Sequence, residues 1–305
     1  MRHVIRKIAA AFALTGLGLS PVAQAQPPVA QAATPAPAPR QMKPALWKVT
    51  DEDTTIYLFG TVHALPKGLV WLDGPVATAL EQSSELVTEI PELPAAEQQQ
   101  KVMAIGLLEG ETLRSLMGDA ERASYEALLA KLKIPAQNFD PLEPWLAGIT
   151  LAVMPYAIAG YGANDGVESV LRKAALAKGK KLGALETADY QLALFDGLPR
   201  EVQLKFLHGA VKDFDRSFGI IGTMTEEWGS GDPDGLGKLM NENMDDPELA
   251  DRLLFQRNRN WAVWVRQRLQ QPGTVFVAVG AGHLAGPGSV QDTLKRQGVE
   301  TVRVQ

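Results

Sequence analysis

Two stretches of this 305-residue chain end an apolar run in Gly-x-x-His. Gly60-Thr61-Val62-His63 follows Ile56-Tyr57-Leu58-Phe59, and Gly280-Ala281-Gly282-His283 follows Val275-Phe276-Val277-Ala278-Val279. The chain has four histidines in all; of the other two, His3 lies in the N-terminal leader and His208 inside a helical pattern. Two glutamates stand in the same relation to β-like runs: Glu89 closes Leu86-Val87-Thr88-Glu89, and Glu186 follows Leu182-Gly183-Ala184-Leu185. Imidazole and carboxylate with open positions suit a borderline or hard divalent ion such as Mn, Co or Zn. Such an ion acidifies a bound water and polarises a carbonyl, which makes a hydrolytic nucleophile near neutral pH. Singly, each residue has a plainer reading. A histidine after a strand caps or packs, Gly60 and Gly280 supply turn angles, Glu89 ends an edge strand in solvent, and Glu186 caps the next helix. Together, the four point to one site.

For that site to exist, the runs that carry these residues must share a sheet and point the same way. In open α/β sheets, binding residues collect where the chain leaves the carboxyl ends of strands, because the loops converge there. β-like runs fall at residues 46–49, 56–59, 85–90, 181–185, 274–279 and 300–304. The first two are joined by Asp51-Glu52-Asp53-Thr54, a polar connection of hairpin length, so they are expected to pair antiparallel. Between Leu93 and Gly179 the pattern is helical, at 95–108, 112–132, 141–161 and 166–177. A second helical block runs over 199–270, broken at 229–233 and near Pro247. The expected fold is α/β: a mixed central sheet wrapped by helices, with a large helical insertion forming a lid.

Cysteine is absent, so disulfides, thiolate metal sites and a thiol nucleophile are excluded, and any metal must sit on His, Asp, Glu or carbonyl oxygen. The formal net charge is −5 with no Lys/Arg-rich block beyond the leader, which argues against a nucleic-acid partner. Arg2, Arg6 and Lys7, the apolar run 8–19 and Ala23-Gln24-Ala25 read as a secretory signal over 1–25, cleaved after Ala25. Its run of about twelve apolar residues is short of the roughly 20 that span a bilayer, so no stable membrane anchor is expected after cleavage and the location is periplasmic or secreted. Residues 26–44, rich in Pro and Ala, read as an extended linker, with the domain over 45–305. A second apolar stretch, 145–161, contains Gly148, Thr150 and Pro155 and reads as a buried or groove-lining helix.

Neither a His-Glu-x-x-His helix, a Gly-x-Ser-x-Gly elbow nor a Walker loop occurs. Gly280 to Pro287 makes a glycine-rich turn whose amides would hold an anion or carbonyl oxygen, with Pro287 suited to a first helical turn. Its spacing does not fit a dinucleotide fingerprint, so no nucleotide cofactor is expected.

The ordered set Leu46-Trp47-Lys48-Val49, Leu58-Phe59-Gly60-Thr61-Val62-His63-Ala64-Leu65-Pro66, the strand ending in Glu89, Leu185-Glu186-Thr187 with Gln191 and Phe195, Gln256-Arg257-Asn258, and Val279 to Leu284 with Gly286 and Val290 resembles the TraB/GumN proteins, a group related to the Tiki metalloproteases. The resemblance covers nearly everything from Ala45 to Gln305. It implies a metal-dependent hydrolase or peptidase, with Mn or Co as the supporting ion and Zn also compatible, and an architecture like that of erythromycin esterases and haem-binding lipoproteins. Carried over residue by residue, it makes His63, Glu89 and His283 the metal ligands. Glu186 becomes a further ligand or the general base, and Arg257 orients a carboxylate or stabilises an oxyanion; a structural salt bridge is the plainer role for Arg257. The family usually carries an acidic residue where this chain has Gln256. The expected activity is an exported peptidase acting on an extended peptide or protein beside the helical lid. Two other readings use the same cleft. One is a binding protein for a peptide or haem, with Tyr156, Tyr161 or a histidine on the iron; the other is a metal-free hydrolase with His63 as general base.

Overall fold

The computed structural model describes residues 39–241 and 247–305. The leader and most of the linker therefore lie outside the described residues.

Six strands form the central sheet: β2 (Leu46–Thr50), β3 (Thr54–Thr61), β5 (Glu85–Thr88), β6 (Lys181–Ala184), β7 (Gly273–Gly280) and β8 (Val302–Arg303). Their order is β6-β5-β7-β3-β2-β8. β2 and β3 are the expected antiparallel hairpin, with Val49 opposite Ile56; its turn is closed by Asp51, whose carboxylate accepts from the Thr54 amide at 2.8 Å. β3, β7, β5 and β6 run parallel to one another. Parallel strands covered on both faces read as unbroken apolar runs, and the 56–59 and 275–279 runs are of that kind. The mixed central sheet is thus present, and the carboxyl ends of the four parallel strands open on one edge.

Alternation along β7 divides the core. Phe276 and Ala278 face a cluster with Phe59 and Leu86 under α1 (Gly74–Gln82), α5 (Val167–Ala177), α7 (Arg200–Ser230) and α8 (Pro233–Asn241). Val275, Val277 and Val279 face α10 (Gln256–Arg268) and α11 (Val290–Arg296) through Trp261, Ala262, Val265, Val290 and Leu294. The remaining helices form a body with its own cores: α2 (Ala95–Ile105), α3 (Asp119–Lys131), α4 (Pro144–Ile158), α6 (Ala188–Asp196) and the first half of α7. The apolar stretch at 145–161 is α4, with Trp145 to Leu151 buried along α7. No helix of the described residues is long and apolar enough to cross a membrane.

Several boundaries move. The helix expected at 112–132 is two pieces, a 3-10 turn Leu113–Leu116 closed by a Thr112–Ser115 capping box and then α3, which starts after Gly118. The folded body begins ahead of Ala45: β1 (Arg40–Gln41) pairs with β4 (Leu69–Val70), and Met42 is buried in the core. A Pro-rich context hid that short strand. Pro287 does not open a helix; α11 starts at Val290 with Ser289 as its cap. A short α9 (Pro247–Ala250) and a π-helical turn, Asp251–Phe255, lead into α10.

Candidate functional site

The strand order places Glu186, Glu89, His283 and His63 in that sequence along the carboxyl edge of the sheet, spread over roughly 14 Å at about 4.8 Å per strand. Thr61 lies opposite Gly280, so the two histidines leave adjacent strands at nearly the same level. The two motifs also touch: a Cβ on Gly60 would come within 3.1 Å of Ala281 Cα, a tight contact that glycine avoids. Trp228 fixes the end of β3 by donating from Nε1 to the Gly60 carbonyl at 2.8 Å.

Three of the four strand-end residues are gathered by Arg257, on α10. Its side chain is 0% exposed. Nη2 donates to Glu89 Oε2 at 2.6 Å and to Glu186 Oε2 at 2.8 Å, and Nε donates to Glu186 Oε1 at 3.0 Å. Nη1 reaches the Leu253 carbonyl of the π-helical turn and lies 3.0 Å from His283 Nε2. Glu89 Oε1 accepts the Gly280 amide at 2.7 Å, so the glycine-rich turn binds a carboxylate of the protein itself. Gln191 on α6 bridges Glu89 and Glu186, at 2.9 Å to each, and Trp261 Nε1 donates to Glu186 at 2.9 Å. Burial disfavours a charged Arg257, but the charges of Glu89 and Glu186 and their hydrogen bonds outweigh it and hold its pKa above the usual value.

The tautomer of His283 follows from its neighbours. Asn258 Nδ2 donates to the Gly288 carbonyl at 2.8 Å, which leaves Asn258 Oδ1 to accept from His283 Nδ1 at 2.6 Å. The ring proton is then on Nδ1, and the Nε2 lone pair receives Arg257. Burial, then the Arg257 charge and His63, push the His283 pKa well below its ordinary value, so this ring is neutral. The Trp261 ring packs against it, centroids 4.3 Å apart, and the Arg257 guanidinium lies 4.7 Å from the same indole.

His63 stands apart. Its Nδ1 is 2.6 Å from Glu168 Oε1, which also accepts the Thr61 hydroxyl at 2.5 Å. Glu168 is in the first turn of α5, and α5 comes this close because residue 166 is glycine: a Cβ there would lie 2.1 Å from the His63 carbonyl oxygen. Burial opposes charge on His63, but the Glu168 charge and hydrogen bond, with Glu89 behind them, raise its pKa. Burial likewise opposes charge on Glu168, and His63 and Thr61 outweigh it and lower that pKa. The pair retains some access to solvent, 13% for the His63 side chain and 12% for Glu168. Both ring nitrogens of His63 are buried; Nδ1 meets Glu168 alone, and Nε2 has no hydrogen-bond partner among the described residues.

The donors meet the needs of a divalent ion only in part. Both imidazoles have Nδ1 tied to an oxygen, the outer-sphere arrangement usual for a metal-binding histidine. The cluster of Glu89, Glu186 and Arg257 carries a formal charge of −1, which a cation would balance. Against this, His283 Nε2 is 4.0 Å from Glu89 Oε1 and already receives Arg257, whose fork also holds both carboxylates. Among the described residues no three His, Asp or Glu side chains form a group able to hold a metal ion. As arranged, His63, Glu89 and His283 do not fit an ion, because the guanidinium fills the centre.

All five residues singled out from the sequence thus lie at one edge of the sheet, with Arg257 bonded to three of the other four. Glu168, Asn258 and Trp261 were not singled out for these contacts. The one sequence signal for Glu168 is its position two residues past Gly166, at a helix start. Gln256 is exposed and bonds Asn260 and Arg259, away from the cluster. Tyr156 and Tyr161 pack edge to face on each other at the end of α4, and burial, then Tyr161, pushes the Tyr156 hydroxyl up to about 12.

The model of the TraB/PrgY/gumN family matches residues 45–303. An uncharacterized protein of Treponema pallidum (strain Nichols) is 22% identical over 271 residues, covering 82% of this chain and 80% of its own. The uncharacterized protein YbaP of Escherichia coli (strain K12) is 25% identical over 185 residues, 61% of this chain and 69% of its own. No solved structure matches.

Proposed function

The chain belongs to the TraB/PrgY/gumN family, and from the geometry of the site we propose that it is a hydrolase, a peptidase acting on extended peptide, in which His63 transfers the protons. The observation that carries this reading is the His63–Glu168 pair: a 2.6 Å contact between mostly buried side chains, with Nε2 buried and free of any partner among the described residues. Neutral His63 accepts a proton at Nε2 from an attacking water, and Glu168, oriented by Thr61, stabilises the imidazolium that forms. The same Nε2 then returns the proton to the leaving amine. A pKa raised above 6.5 brings the group closer to working pH for both steps. Arg257 serves as a positioning residue, holding Glu89, Glu186 and the neutral His283 beneath the reacting groups.

A second reading, a metal-dependent peptidase with Mn, Co or Zn on His63, Glu89 and His283, is favoured by the formal charge of −1 on the buried cluster. It requires Arg257 to release His283. Glu186 would then be the further ligand or base, and export through the leader accompanies either reading. Peptide-library digestion read by mass spectrometry separates them. Cleavage that survives exhaustive chelation and is lost in His63→Ala supports the proton-transfer reading; cleavage lost on chelation and restored by Mn or Co supports the metal-dependent one. If no library peptide is cut under either condition, the site belongs to a binding protein.

A further inference from the structure

On α5, one turn beyond Glu168, Arg172 is a second largely buried cation that the proton-transfer scheme does not use. Residues four apart on a helix lie on one face with Cβ atoms about 6 Å apart, so Arg172 shares the Glu168 side of α5. Its side chain is 13% exposed, and its one ion pair among the described residues is with Glu92, whose carboxylate approaches Nε at 3.3 Å. Glu92 is three residues past Glu89, on the chain leaving β5, so Arg172 reaches the carboxyl edge of the sheet where the site lies. Glu92 is itself 66% exposed and free to swing away.

This contrasts with Arg257, whose fork is saturated by two buried carboxylates. A guanidinium presents five N–H donors in a planar fork that matches a carboxylate bidentately. Arg172 is less deeply buried, 13% exposed at its side chain, and has a single, exposed ion-pair partner among the described residues. Glu168 does not fill the gap: its Oε1 holds His63 and Thr61, and it makes no ion pair with Arg172 among the described residues. Burial lowers the Arg172 pKa, and Glu92 and Glu168 only partly offset that, as expected of a cation short of an anion.

We propose that Arg172 is a carboxylate-binding subsite of the peptide cleft, which selects peptides bearing a free carboxylate near the bond presented to His63, with Glu92 as the side chain that the ligand displaces. This rests on the peptidase reading. The carboxylate is supplied either by the peptide's carboxyl terminus or by an acidic side chain.

The test is equilibrium binding to the whole protein, without turnover. The probes are acetyl-Ala-Ala-Ala as free acid and as amide, acetyl-Ala-Glu-Ala-amide, and inorganic phosphate. The free acid is expected to bind wild type about tenfold more tightly than its amide, the usual worth of a charge-assisted hydrogen bond. Arg172→Ala removes that preference and Arg172→Lys keeps part of it. Glu92→Gln, which alters an exposed side chain and so guards against misfolding of the arginine variants, tightens acid binding. A gain for the acetyl-Ala-Glu-Ala-amide that Arg172→Ala also removes identifies an acidic side chain as the source. Equal binding of acid and amide, no binding of the acid, a preference that survives Arg172→Ala, acid binding not tightened by Glu92→Gln, or phosphate binding more tightly than the acid each overturns the proposal. Because the readout is affinity, discrimination without cleavage sinks the peptidase reading alone, and cleavage without discrimination sinks this subsite alone.

Discussion

The two Gly-x-x-His segments leave neighbouring parallel strands at the same level, yet their histidines live in opposite electrostatic surroundings. His63 faces a carboxylate, keeps some access to solvent, and has its pKa raised. His283 faces an amide oxygen and a guanidinium, is fully buried, and has its pKa pushed well down. The difference comes from helices rather than strands: α5 brings Glu168 to the first histidine, and α10 brings Arg257, Asn258 and Trp261 to the second. One motif, read twice by different helices, gives a charge-favouring histidine, the proton carrier of the proposed reading, at one end of the site and a fixed, neutral acceptor at the other.

If that division holds, the largest effects separate by kind. His63→Ala is expected to lower kcat/KM for a cleaved peptide by about 10²–10⁴-fold, the usual contribution of a positioned acid–base group, with a smaller loss of urea midpoint than Arg257→Leu, because one carboxylate rather than two loses its partner. A variant that keeps its rate would erase the functional half of the comparison. Arg257→Leu is expected to cost about 3–5 kcal/mol of stability, because it strands the buried carboxylates Glu89 and Glu186 without their cation. Urea unfolding measures this, and an unchanged midpoint would show that the sealed half is not held by its ion pairs.

What was legible in the sequence follows the same line. Strand-end residues announce themselves, because a buried parallel strand is an apolar run and the first polar side chain after it stands out; His63, Glu89, Glu186 and His283 were found in that way. Glu168 does not, since a glutamate in the first turn of a helix is ordinary chemistry there. Its role depends on Gly166 allowing α5 to rest on the His63 carbonyl, a tertiary contact with no local pattern. Arg257 was visible only through family resemblance. Its place at the centre of the cluster, where the sequence led us to expect a metal ion, comes from the way α10 crosses the sheet. The strand at Arg40–Gln41 was masked by proline-rich surroundings, and the 112–132 helix is broken by a 3-10 turn with its own Thr112–Ser115 capping box.

Smaller effects appear in the pH dependence of stability, where the two histidines should pull in opposite directions. His63 has a folded pKa above its unfolded value of 6.5, so its contribution is complete below 6.5 and lost as pH rises through the folded pKa. Glu168, held below 4.5, contributes above 4.5 and loses its share as pH falls through its own folded pKa. His283 is the reverse of His63: the unfolded chain binds the extra proton, so stability falls as pH drops below 6.5. Each unbalanced proton gives a slope of about 1.4 kcal/mol per pH unit. Urea midpoints across pH should therefore lose their alkaline-side decline in His63→Gln and part of their acid-side decline in His283→Gln. Identical profiles for the two variants would mean that the surroundings do not distinguish the rings.

The finest test tries to turn one histidine into the other. Asn258→Asp replaces the amide oxygen at His283 Nδ1 with a carboxylate of nearly the same shape, giving the second motif the partner type that Glu168 gives the first. The added negative charge favours the imidazolium, so the His283 pKa should rise, although burial and Arg257 still oppose it. The lost Nδ2 donor leaves the Gly288 carbonyl unpaired, which costs about 1–3 kcal/mol of stability. Imidazole C–H resonances followed through a pH titration report each ring separately, and His283→Gln identifies the signal by its disappearance. An upward shift confined to His283, with the rate at saturating peptide unchanged, would show that protonation of the second histidine is set by its one acceptor and is no part of the proton transfer. If instead the rate falls along the new titration curve, the neutral lone pair facing Arg257 is itself needed for turnover, and the two motifs act as one device rather than as a carrier and its support.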